Sequence, residues 1–354
     1  MQPWPRGGRD TAFQRVYSAA MTCPAYIAAR DGEGGAPLHV AWATDAAYWP
    51  AARLSIFAAS RRTAAPAVFH VLTPPGAVAA DAWRALAAAL PPRHELRRIE
   101  IADARIVACA HTIGYISRTC YLRFLLPEAL PGVRRCLYLD ADVLALDDLA
   151  TLWAECSPSA PVSAAADLNL PGLDAHMQRL GLARYFNSGV MGVNLDAWRR
   201  QDATARCFQL GASGDPRLRF QDQDVLNLVF AGQVSWLHAR WNILTDFTGI
   251  YAFDAAFVDR ATWEQMRAHP GIAHFTSAKK PWDLAMNHGL SWRYWEEALR
   301  SPWRAECALR GANARRRYLI RRFRYWRRWA FSLSNRDGEG KRHLLMAGKR
   351  VAVP

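Results

Sequence analysis

From Leu38 onward, short apolar runs of strand length alternate with longer stretches whose apolar residues recur at helical spacing. Leu38–Thr44, Val68–Leu72, Cys136–Leu139 and Val162–Ala166 are mostly apolar, the pattern of strands covered on both faces. His94–Ile101, Gly189–Leu195 and Val234–His238 complete the strand candidates. Ala51–Arg62 reads as a helix that turns Leu54, Ile56, Phe57 and Ala58 inward, and Asp81–Leu90 as a second, stopped by Pro91-Pro92. Arg118–Leu130, closing at Pro131-Gly132, Asp196–Leu210 and Gln223–Phe230 are further helices. This β-then-α order predicts an α/β fold, an open sheet with helices on both faces. In such sheets ligands sit beyond the carboxyl ends of the strands.

The 354 residues, 51% of them hydrophobic, suffice for one large core with an appendage. Residues 1–36 are rich in Gly, Arg and Pro and read as a mobile leader without the apolar centre of a signal peptide. Residues 37–290 form the α/β domain, and 291–354 a basic, aromatic helical tail. The formal charge is +14, and between Arg304 and Arg350 fifteen Lys and Arg face only three acids. A body near neutrality with a basic end predicts one local surface for an anionic partner. Seven cysteines without a C-x-x-C pair fit reduced thiols, not a disulfide frame or zinc site. No stretch is apolar enough over sufficient length to span a bilayer. The expected location is the cytoplasm, at the inner membrane surface.

Four short segments carry candidate chemistry. In Cys136-Leu-Tyr-Leu-Asp140-Ala-Asp142 an apolar strand runs into two carboxylates spaced two apart. Side chains alternate along extended chain, so both can face one side and hold a divalent cation beside a diphosphate. A turn after a strand favours Asp as well. In His274-Phe-Thr-Ser-Ala-Lys-Lys280-Pro-Trp282, His274 is a candidate third ligand, and Lys279 and Lys280 suit phosphate. Asn187-Ser-Gly189 reads as a polar turn before a strand, its amide suited to sugar hydroxyls. In Gln221-Asp222-Gln223-Asp224, Asp222 can cap the following helix, or Asp222 and Gln223 can lie against a sugar. Asp45, after the first strand, is placed to accept from a uracil or ribose group. Arg123 is a guanidinium clamp or a surface helix residue.

Taken together and in this order, these segments resemble glycosyltransferase family 8, in particular bacterial lipopolysaccharide and lipooligosaccharide galactosyl- and glucosyltransferases. The likeness covers roughly Leu38 to Trp282 and rests on Asp45 and Tyr48, Tyr121-Leu-Arg123, Leu137-Tyr-Leu-Asp140-Ala-Asp142, Tyr185-Phe-Asn187-Ser-Gly189, Gln221-Asp-Gln-Asp-Val-Leu-Asn227 and His274-Phe to Lys280-Pro-Trp282. It implies a GT-A-type nucleotide-binding sheet and a retaining transfer of galactose or glucose from a UDP-sugar to a glycan or glycolipid. It implies Asp140, Asp142 and His274 around Mn²⁺ (or Mg²⁺), Ala43 and Asp45 at the uridine, and Lys280 at phosphate. Arg123, Asn187, Asp222 and Gln223 would surround the hexose. Ser277 stands where the family usually has Gly, and Ala46 and Ala47 where polar residues are common.

In the tail, Leu319, Phe323, Trp326, Ala330 and Leu333 recur at helical spacing, and Arg317, Arg321, Arg324 and Arg328 follow another face. That pattern predicts an interfacial helix on an anionic membrane, with helix packing on the body and RNA binding as its competitors. The expected partners are a UDP-hexose, a glycolipid acceptor and a membrane surface, not nucleic acid. Two rivals share parts of the pattern: a metal-dependent nuclease or nucleotidyltransferase, and a non-catalytic nucleotide-sugar-binding protein.

Overall fold

The structure, a computed structural model, describes residues 37–109, 114, 116–168, 172–244, 258–276, 278–283, 289–306, 316, 318–320, 322–323, 332–334, 343–346 and 349–352. The leader 1–36, Ser277, and the tail residues Arg317, Arg321, Arg324, Trp326, Arg328 and Ala330 lie outside the described residues.

The body is built on β1 (Leu38–Ala43), β2 (Ala67–Thr73), β3 (His94–Glu100), β4 (Arg135–Leu139), β5 (Val143–Ala145), β6 (Val162–Ala166), β7 (Phe186–Asn194), β8 (Val234–Trp236), β9 (Ile243–Leu244) and β10 (Ile272–His274). Seven of these form one sheet in the order β3-β2-β1-β4-β7-β6-β8. β1, β2, β3 and β4 pair in parallel, as do β6 and β8, while β7 runs antiparallel to both β4 and β6. The reversal has a direct consequence: β7 begins where β4 and β6 end. A second sheet, β5-β10-β9, pairs His274 with Val143, the residue following Asp142. These two- and three-residue strands are too short to leave a periodic signal in sequence.

Residues alternate across β1 as its near-continuous apolar run predicts. Leu38, Val40 and Trp42 join Phe69, Val71 and the helix Trp49–Arg62 in one core, while Ala41 and Ala43 join Leu72, Tyr138 and Phe124 in the other. Phe69 is fully buried, so truncating it to Ala should cost about 3–5 kcal/mol. Trp292, Trp295, Ala298, Trp303 and Tyr318 pack into the first core as well, so residues assigned to the tail from 291 onward are seated on the body.

Several expectations need correction. Arg118–Leu130 is a 3-10 segment, Arg118–Leu125, followed by one α-turn, Leu126–Ala129. Pro127 has no N–H for the carbonyl of Arg123, which instead accepts from Leu126. Asp196–Leu210 is two helices, Leu195–Arg200 and Ala203–Gly211, broken where Asp202 adopts φ 49°. Asn187–Gly189 is not a turn before the strand but part of β7, all of it buried. Its polar side chain is tolerated there because partners inside the protein satisfy it. The tail is not helical throughout. Residues 316, 318–320 and 322–323 are helical, whereas Ser332–Ser334, His343–Met346 and Lys349–Ala352 are strands of an antiparallel sheet, so Leu333 leaves the expected helical face. Among the described residues, no helix is long and apolar enough to cross a membrane.

Candidate active site

The residues singled out by sequence converge. Ala43, Asp45, Arg123, Asp140, Asp142, Asn187, Asp222, Gln223, His274 and Lys280 all line one cleft of about 370 Å³ at the carboxyl ends of β1, β4 and β6. Its floor is the start of β7. There Gly189 is required for space: a Cβ would stand 2.1 Å from Cε1 of His274 and 2.6 Å from Oδ2 of Asp140. The small residue lets the histidine close against the acidic pair.

Asp140, Asp142 and His274 each offer a ligand atom, and these atoms all lie within 4.8 Å of one another. Nε2 of His274 is 3.3 Å from Oδ1 of Asp142 and 3.8 Å from Oδ2 of Asp140. Two carboxylate oxygens and an imidazole nitrogen around one point suit a divalent cation such as Mn²⁺ or Mg²⁺. Each member is held from behind. Asp140 accepts from Arg123 Nη2 at 2.6 Å and from the Tyr138 hydroxyl at 2.9 Å. Lys280 donates to Asp142 Oδ2 at 2.6 Å and to the Phe275 carbonyl at 2.7 Å. Burial resists ionisation of Asp142, yet the Lys280 ammonium and His274 together outweigh it and hold the carboxyl well below the usual range. Nδ1 of His274 lies 2.8 Å from Oδ1 of Asn242.

Arg123 is not a surface residue. It is buried, lies over the Tyr138 ring, and spends its N–H groups on Asp140, Asp222, Ser188 and the Cys120 carbonyl. It ties Asp140 on one side of the cleft to Asp222 and Ser188 on the other. Asp222 does not cap its helix. The helix Gln221–Val229 follows Phe220 without a side-chain cap, and Asp224 accepts from the N–H groups of Arg219 and Phe220 at 2.6 and 2.9 Å. Asp222 instead faces Ser188 Oγ at 3.2 Å and Arg123, and burial pushes its carboxyl above the usual range although Arg123 opposes the shift. Asp45 is engaged at both oxygens, by the N–H of Tyr48 and the hydroxyl of Thr119.

Two residues that brace the cleft carry no motif in the sequence. Asp167, immediately after β6, is buried and accepts from Asn187 Nδ2 at 3.1 Å and Gln223 Nε2 at 3.0 Å. An acid directly after a buried strand, as at Asp45 and Asp140, was the available signal. Asn242 had none: it precedes a two-residue strand, and its partners are distant in sequence.

An open α/β sheet with this acidic cleft at its strand ends fits an enzyme that handles a phosphorylated donor, and comparison makes the class specific. The glycosyl transferase family 8 model matches residues 39–285, and the chain belongs to that family. It is similar to General stress protein A of Bacillus subtilis, with 27% identity over 57% of this chain and 72% of that protein. It is similar too to lipopolysaccharide 1,2-glucosyltransferase of Escherichia coli, with 28% identity over 53% of this chain and 56% of that enzyme, a little over half of the latter's length. Among solved structures, galactosyltransferase LgtC in complex with donor and acceptor sugar analogues superposes with a TM-score of 0.66 at 25% identity, over 79% of this chain and 100% of that one. The protein is therefore a glycosyltransferase with a GT-A-like fold, an enzyme that moves a sugar from an activated donor to an acceptor. The nuclease and non-catalytic readings fall away.

Proposed function

We propose that this glycosyltransferase is a retaining hexosyltransferase. It takes galactose or glucose from a UDP-sugar and transfers it to a lipopolysaccharide-type glycan or glycolipid. The observation that carries the reading is the meeting of Asp140, Asp142 and His274, from segments over 130 residues apart, in a gap that Gly189 keeps open. The names of similar proteins, a lipopolysaccharide glucosyltransferase and a galactosyltransferase, support the donor and acceptor classes.

Asp140, Asp142 and His274 would hold Mn²⁺ (or Mg²⁺), which when bound neutralises the donor diphosphate and its departing charge. Lys280 supplies a second cation beside the same carboxylate, suited to the leaving phosphate. Ala43 and Asp45 border the nucleotide end of the cleft, and Asn187, Asp222, Gln223 and Arg123 border the hexose. Gln223 is a poor nucleophile by chemistry, and both ends of its amide are engaged, Nε2 with Asp167 and Oε1 with the N–H of Ser188. Asp222 is paired with Arg123 and Ser188. These engagements favour front-face substitution, in which the leaving phosphate oxygen takes the acceptor proton. A trapped glycosyl-Asp222 adduct would overturn that preference.

The tail would hold the enzyme at an anionic membrane. Leu319 and Phe323, one turn apart, are 58% and 61% exposed, while Tyr318 anchors the same turn in the core. Replacing Leu319→Ser together with Phe323→Ser leaves that anchor and should release the enzyme from anionic vesicles without loss of donor hydrolysis. The experiment for the main reading is a panel of UDP-galactose, UDP-glucose and their N-acetyl forms, assayed for UDP release with and without Mn²⁺. Release that ignores Mn²⁺ for every donor would reject the reading.

A further inference from the structure

The hydrogen bonds behind His274 form a chain whose donors can be identified one by one. Oδ1 of Asn187 lies 3.0 Å from the backbone N of Gly189, and an N–H only donates, so that oxygen is the acceptor. Nδ2 of Asn187 lies 3.1 Å from the Asp167 carboxylate, which only accepts when ionised, so two independent neighbours orient this amide in the same sense. The Asn242 atom 3.0 Å from Asn187 Oδ1 must then be its Nδ2, the donor. That leaves Asn242 Oδ1 as acceptor, 2.8 Å from Nδ1 of His274. Nδ1 therefore carries the proton. In the neutral ring the lone pair is on Nε2, the atom facing Asp142 and Asp140.

We propose that Asn242 is a positioning residue for the cation site. Through it, the Gly189 amide and the Asp167 carboxylate fix His274 in the Nδ1–H tautomer with Nε2 aimed at the two aspartates. The role toward a cation rests on the function proposed above; the tautomer does not. Asn242 is 3% exposed, so removing its side chain takes a buried partner from both Nδ1–H of His274 and Oδ1 of Asn187. Its position is set by the small sheet, where the following residues of β9 run parallel to β10 and Leu244 is in register with His274. Gln223 also donates to Asp167, so the ligand histidine and the sugar-facing amide are oriented by one shared carboxylate.

The test uses the full chain labelled with ¹⁵N-histidine and Mn²⁺ alone as probe. Long-range ¹H–¹⁵N spectra at a pH where the ring is neutral should give the Nδ1–H pattern for His274, assigned by its loss in His274→Gln. Asn242→Leu should yield mixed tautomers and weaken Mn²⁺ binding, measured by calorimetry, by about 10–100-fold. Asn242→Asp keeps an acceptor for Nδ1–H and should retain the tautomer and bind Mn²⁺ more tightly than Asn242→Leu. If thermal melting shows that Asn242→Leu does not fold, Asn242→Ser, too short to hold the ring, takes its place. An Nε2–H ring in the wild type, or wild-type Mn²⁺ affinity in the folded Leu or Ser variant, overturns the proposal. A wild-type chain that binds no Mn²⁺ rejects the cation reading itself, a different failure.

Discussion

Asp140 and Asp142 leave the end of β4, whereas Asp222 and Asp224 open the helix Gln221–Val229, and the same two-residue spacing has different consequences in the two places. Where the chain leaves a strand, residues two apart can face one way, and both carboxylates reach His274. On a helix, residues two apart point roughly 200° from each other. Asp222 accordingly faces Arg123 and the cleft, while Asp224 turns inward to His176 Nε2 at 2.6 Å and the Tyr185 hydroxyl at 2.5 Å. One pair makes a site; the other divides into a site residue and a core residue. A D-x-D spacing thus has no meaning until the backbone beneath it is known.

The sharpest way to break this contrast is at the strand. Asp142→Ala should lower kcat by roughly 10³-fold with Mn²⁺ present; turnover near the wild-type level would remove Asp142 from the cation site. Next in size is Asp224→Ala, which leaves buried donors on His176, Tyr185 and two backbone amides without their acceptor. It should cost about 3 kcal/mol in urea unfolding, with little change in kcat per folded molecule. Asp222→Asn should do the reverse, lowering kcat by roughly 10²-fold while the unfolding midpoint stays close to wild type. If both helix variants behaved alike, the division between them would be false.

The smallest effect is in pH. Burial resists ionisation of Asp224, but hydrogen bonds from His176, Phe220, Tyr185 and Arg219 outweigh it and hold the carboxyl below its ordinary 3.8. Its stabilisation is therefore full above pH 3.8 and lost as pH falls through the lower folded value. Burial holds Asp222 above 3.8, so its contribution is full below that pH and lost as pH rises through the raised value. Unfolding followed across pH should lose part of its acid limb in Asp224→Asn, and in Asp222→Asn should lose a decline on the other side of 3.8.

What could be read from sequence follows the range of the interactions involved. β1 and β2 and their helices announce themselves because burial on both faces writes a local apolar pattern, whereas the edge strand β3 has no fully buried residue. The candidate residues were legible because strand ends and helix starts place polar residues beside apolar runs. The unread parts are held by long-range pairing. β5, β9 and β10 are two or three residues each, and the bond between Asn242 and Asn187 crosses 55 positions. The burial of Asn187 within β7 was invisible for the same reason, since its partners Asp167 and Asn242 lie outside that strand.

The two sheets also differ in how easily they come apart. Asp140 is fastened to the central sheet by its own N–H, which donates to the Gly189 carbonyl at 2.8 Å, whereas His274 rides on a three-residue strand between neighbours of three and two residues. Elements with so few backbone bonds are those that open locally while the rest of a protein remains folded. The short strand that carries His274 is therefore the part of the site expected to open first. For the cation proposed above, exchange would then be an event of its own, with a free energy below that of global unfolding.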